Sequence, residues 1–135
     1  MKAISLNPSA PSLDEFLKVV DVDINDLQTC YEYTDCDCIT IVQRSFMGFP
    51  ACIVCDDEGL LKDNPVPCII FKGEYPETLV GRILVTGLSD DVGNLTAVSD
   101  DVVNVCKSWS GRCGYRVGDK VVFTGYAVML PKSGV

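Results

Sequence analysis

Histidine is absent from all 135 residues of this sequence, and that absence excludes more chemistry than any residue present supplies. Ser-His and Cys-His nucleophilic catalysis, imidazole metal ligation and the commonest general base go together. The chain also has no G-x-S-x-G elbow, no phosphate-cradling glycine loop and no paired-carboxylate signature. A binding role is therefore expected rather than an enzymatic one, with no cofactor. No apolar run approaches the ~20 residues of a membrane helix, and Met1-Lys2-Ala3-Ile4-Ser5-Leu6-Asn7-Pro8 lacks the pattern of a signal peptide. The expectation is a cytoplasmic protein that makes no membrane contact. Cations are scarce: eleven Lys and Arg stand against nineteen Asp and Glu, a net charge of −8. Direct binding of long nucleic acid is disfavoured by that balance.

What is present describes a folded domain. Apolar residues make up 47% of the chain and charged residues 22%, away from the composition of disordered segments. A chain of this length supports one domain with a real core. Eight cysteines in a chain without an export signal read as reduced thiols. Cys36-Asp37-Cys38 and Cys52-Ile53-Val54-Cys55 have the short spacing of zinc ligands. Ile53 and Val54, however, are strand formers, and a strand would point Cys52 and Cys55 to opposite faces. Buried core thiols are the preferred reading, and no metal is assigned.

The charge is divided unevenly. Residues 1–101 hold eighteen acidic and six basic side chains, a balance of −12, whereas residues 102–135 hold one and five, a balance of +4. Such an acidic surface speeds encounter with basic protein surfaces, although it also serves solubility alone.

Residues 2–6 alternate as a strand does. Ser12-Leu13-Asp14-Glu15 has capping-box spacing, and Leu13, Phe16, Leu17 and Val20 make one helical stripe. A further helical turn is expected over residues 23–28, then a strand over 38–43 joined through 44–50 to a strand over 51–55 as a hairpin with a loop longer than the minimum. Residues 63–67 read as irregular because of Pro65 and Pro67. A strand follows over 82–86. Ser99 caps a helix with Asp100 and Asp101 in its first turn, and Val102, Val103, Cys106 and Trp109 share a face assigned to the core. Gly118-Asp119 separates two strand-like runs as a hairpin turn would, with 126–130 extending the same sheet. The fold class is α+β, a single domain with a mainly antiparallel sheet carrying two or three helices.

Ala51-Cys52-Ile53-Val54-Cys55-Asp56-Asp57-Glu58-Gly59-Leu60-Leu61-Lys62 is an apolar strand stopped by an acidic turn. With Leu79-Val80-Gly81-Arg82-Ile83-Leu84-Val85-Thr86-Gly87, and Gly93-Asn94-Leu95-Thr96 leading to the Ser99 helix, it resembles an uncharacterised domain-of-unknown-function family carried by phages, plasmids and mobile elements of Gram-positive bacteria. The resemblance divides the chain into a family-like core, residues 1–107, and a C-terminal β-rich extension, residues 108–135. It implies an accessory protein that antagonises bacterial host defence by stoichiometric binding to a defence protein.

Two candidate sites follow. The first is the acidic turn Asp56, Asp57 and Glu58, with Asp35 and Asp37 as a second acidic candidate, facing a basic surface of a host defence protein. The alternative is an oligomeric sponge for a small signalling nucleotide, in which Trp109, Arg112, Tyr115, Arg116 and Lys120 interleave aromatics for base stacking with cations for phosphate. The sponge reading makes a homo-oligomer possible, because such sites usually form between subunits.

Overall fold

A computed structural model describes residues 1–59, 65–73 and 76–131, the side chains of Tyr115 and Arg116 excepted. In chain order the elements are β1 (Lys2–Leu6), α1 (Leu13–Phe16), β2 (Leu17–Asp21), α2 (Leu27–Thr34), β3 (Ile39–Phe46), β4 (Phe49–Asp56), β5 (Pro67–Phe71), β6 (Glu77–Val80), β7 (Ile83–Thr86), α3 (Asp100–Ser108), β8 (Ser110–Val117) and β9 (Lys120–Leu130). They form two sheets. The first has the order β2-β1-β7-β4-β3 and the second β6-β5-β9-β8. All pairs are antiparallel except β5 with β9. The architecture is the expected α+β class.

Alternation along the strands of the first sheet builds two cores. Ile4, Leu6, Ala51, Ile53, Cys55, Ile83 and Val85 face the second sheet and α3, joining Ile69, Phe71, Val102, Val103, Cys106, Val128 and Leu130. Ala3, Cys52, Val54 and Leu84 face the other way, toward Ile24, Cys30 of α2 and Leu95. Cys52 and Cys55 therefore lie on opposite sides of β4, as the period of two requires. All eight cysteines are free.

The two sheets are also fastened at their edges. Arg44 of β3 makes a bidentate pair with Glu77 of β6, Nε to Oε1 at 2.7 Å and Nη2 to Oε2 at 2.8 Å. Hydrogen bonding to Arg44 holds the Glu77 carboxyl below its usual range. Just beyond it, the rings of Phe46 and Phe71 meet edge to face, centroids 6.0 Å apart.

Several local expectations are corrected. The helix from Ser12 is a single turn: Ser12 Oγ accepts from the Glu15 amide at 3.4 Å, but Leu17–Asp21 is a strand paired with β1. Val19 and Val20 are β-branched, and pairing with β1 satisfies more backbone than one further helical turn would. The β3–β4 connection is minimal rather than long. Phe46 pairs with Phe49 across Met47 and Gly48, both at positive φ (55° and 93°), as a primed hairpin turn demands. Residues 67–71 and 77–80 are strands where none was expected. Pro67 is tolerated because it begins β5. The run through Val80 to Gly87 is two strands in different sheets, parted at Gly81, whose φ is +79°. Residues 63 and 64 of the expected irregular segment lie outside the described residues.

Phe46 is fully buried at the junction of the sheets, so Phe46→Ala should cost about 3–5 kcal/mol in urea unfolding; an unchanged midpoint would contradict the inter-sheet packing. The buried thiols give a second expectation. Desolvation pushes Cys55 up to about 11 and Cys106 up to about 12 from an ordinary 9.0, with Cys68 well above it for the same reason. Above pH 9 the unfolded chain sheds these protons while the folded chain keeps them, so stability present below pH 9 is lost as pH rises toward 12. The alkaline decline should shrink in Cys106→Ala, and an equal decline in both proteins would refute the assignment.

Candidate functional site: an acidic edge

The two acidic turns expected separately from the sequence meet in space, and the β3–β4 register is the reason. Ile39 pairs with Asp56, so the residues before β3 and after β4 are carried to the same end of the hairpin. There the Asp57 amide donates to the Cys38 carbonyl at 2.9 Å, and Cys38 Sγ lies 4.0 Å from Asp57 Oδ2. On one side α2 stops at Asp35, which takes a left-handed conformation (φ 52°, ψ 46°) and returns its amide to the Tyr31 carbonyl. On the other, Asp56 Oδ1 accepts from the Glu58 amide at 2.9 Å and shapes the turn. Gly59 closes that turn against β6, where a Cβ would sit 2.7 Å from Val80 Cγ2.

Asp35, Asp37, Asp56, Asp57 and Glu58 thus form one acidic edge. Asp21, Asp100 and Glu77, which pair with the Met1 amino group, Lys2 and Arg44, lie outside it. Cys38 reports the local field. Desolvation and then the charges of Asp57, Glu58, Asp37 and Asp56 raise its thiol pKa. Among the described residues no group of three His, Cys, Asp or Glu is arranged to hold a metal ion.

A cleft of about 280 Å³ opens at the inner end of this edge. Asp35 and Asp56 line one part of it, and Asn7, Thr34 and Arg82 contribute other polar groups. It is slightly smaller than the usual small-molecule pocket. Arg82 was not a sequence candidate; it arrives from the β6–β7 turn, and only the placement of those two strands reveals it.

Among the nucleotide candidates whose side chains are described, Trp109, Arg112 and Lys120 are not gathered into one site. Trp109, assigned to the core from its helical spacing, is instead 40% exposed, because α3 ends at Ser108 and Trp109 is its C-cap. Arg112 lies over the Phe123 ring, 3.8 Å from guanidinium carbon to centroid. Lys120 pairs with Val117 at the far end of β8, which places it roughly 26 Å along the strand from Trp109 at ~3.3 Å per residue. The side chains of Tyr115 and Arg116 lie outside the described residues.

These features sit in a known domain family without an assigned activity. A family model described as a domain of unknown function (DUF3846) matches residues 1–110. The chain belongs to that family. Searches of curated proteins and of solved structures return no match. Among the described residues no helix is long and apolar enough to cross a membrane.

If the edge is as acidic as its geometry implies, Asp57→Asn with Glu58→Gln should lower the Cys38 pKa and speed its alkylation by neutral iodoacetamide near pH 8, by about two- to fivefold. An unchanged rate at Cys38, read by peptide mass spectrometry, would show that these carboxylates do not act on that thiol.

Proposed function

We infer that this chain is a non-catalytic binding protein whose acidic edge takes a basic protein surface. The observation that carries the reading is the convergence of two acidic turns, remote in sequence, into one edge. Asp56 and Asp35 also shape their turns, but bringing five carboxylates to one place costs like-charge repulsion. Their joint presentation instead gives encounter rate and specificity with a cationic partner. In keeping with the mobile-element company of the family this chain resembles, the partner is a defence protein of a bacterial host, met in the cytoplasm and held stoichiometrically.

The sponge reading retains one supporting observation, the exposed Trp109, which is available to stack on a base. The spread of its cations along the β8–β9 hairpin counts against it.

Binding to a candidate host nuclease, measured by interferometry, tests the proposal. Affinity should fall by about tenfold or more between about 50 mM and about 500 mM salt. Asp57→Lys with Glu58→Lys should abolish binding, and Asp91→Lys, an exposed carboxylate outside the edge, should leave it nearly unchanged. Salt-independent affinity, or equal loss in both variants, would remove the edge from the interface. A nucleotide retained through native mass spectrometry and lost in Trp109→Ala would favour the sponge.

A further inference from the structure

The β8–β9 hairpin changes character along its length. Its inner half is core: Ala127, Val128 and Leu130 are fully buried, and Val128, Met129 and Leu130 pair with β5. Gly125 marks the change. Its φ is +151°, and a Cβ there would lie 2.0 Å from the Pro8 carbonyl oxygen, which accepts from the Tyr126 amide at 3.1 Å. Beyond this point residues 114–117 of β8 pair only with residues 120–123 of β9. This outer arm carries Val117, Val121, Val122 and Phe123, between 39% and 57% exposed.

A two-stranded ribbon without a third strand or an apolar cover is marginal in water. Among the described residues no further strand pairs with either edge of this one, a condition that native proteins otherwise avoid by pairing or covering the edge. The arm is therefore built to be covered. Charge selects the occupant: Arg112, Arg116 and Lys120 stand in the hairpin against Asp119 alone, whereas residues 1–101 of the same chain carry −12. Pairing of one arm directly on another would set cations against cations.

We propose that the chain self-associates by reciprocal exchange, the arm of each copy laying its Val117, Lys120 and Val122 face on the acidic edge of the other. Reciprocal placement about a two-fold axis closes at a dimer, whereas one-way placement would grow open chains. Self-association and capture of a basic partner then compete for one edge. The inference does not require that partner, because its test contains this chain alone.

Sedimentation velocity of the full chain decides it. A dimer fraction should rise with concentration at about 50 mM salt, and the association constant should fall about tenfold at about 500 mM. Val122→Ser with Phe123→Ser should shift the chain to monomer. Arm reversal, Arg116→Glu with Lys120→Glu, and edge reversal, Asp57→Lys with Glu58→Lys, should each give monomer. Mixing these two variants should restore the dimer, because the reversed arm meets the reversed edge and the native arm meets the native edge. If the serine pair unfolds, as circular dichroism would show, the charge-swap mixture decides alone. A wild-type chain that stays monomeric at about 1 mM, a dimer indifferent to the arm, or a swap mixture that stays monomeric would overturn the proposal.

Discussion

Three residue pairs, Ile69 with Val128, Ile70 with Met129 and Phe71 with Leu130, join β5 to β9 in parallel, and the rest of the structure depends on them. They close the second sheet between two hairpins, β5–β6 and β8–β9, each a two-stranded ribbon without the other. They also deliver Val128 and Leu130 into the core shared by both sheets. A parallel pair demands a long crossover, supplied here by β6, β7, α3 and β8. The family match ends at residue 110, yet the strand that completes the core begins at Lys120.

Stability and recognition are thereby kept apart. The buried mass lies between the sheets, with the Arg44–Glu77 and Phe46–Phe71 contacts fastening their edges. The acidic edge stands at one end of the β3–β4 hairpin and the cationic arm at one end of the β8–β9 hairpin. Neither contributes a charged group to the core, so both can change charge without emptying it. Two hairpins that extend past the sheets they anchor thus provide the surfaces assigned to binding.

Much of the fold was legible where a local rule agreed with its tertiary use. Ser99 caps α3, accepting from the Val102 amide at 3.3 Å, and Gly118-Asp119 turns between β8 and β9. The alternation around Cys52 and Cys55 likewise foretold their opposite burial. Legibility failed where long-range pairing overrode a local period. Leu13, Phe16, Leu17 and Val20 fit a helix, but β1 recruits Leu17–Asp21 as an edge strand. The five-residue β5 and four-residue β6 are too short to announce themselves. The acidic residues were visible individually, whereas their meeting depended on the Met47-Gly48 turn, which lacks the usual Asn-Gly signal. With that turn recognised, counting back along both strands from the pair Phe46–Phe49 places Cys38 opposite Asp57. Trp109 was misplaced for a simpler reason: helical spacing was extended one residue past the end of the helix.

The claim on which this account rests is that residues beyond the family match are part of the fold rather than an appendage to it. Urea unfolding of a chain ending at Ser110, followed by circular dichroism beside the full-length protein, tests this directly. Without β9 the core loses Val128 and Leu130 and β5 loses its parallel partner, so the shortened chain should show no cooperative transition. A cooperative transition with the full-length midpoint would show that the domain closes without β9, and the account would be wrong.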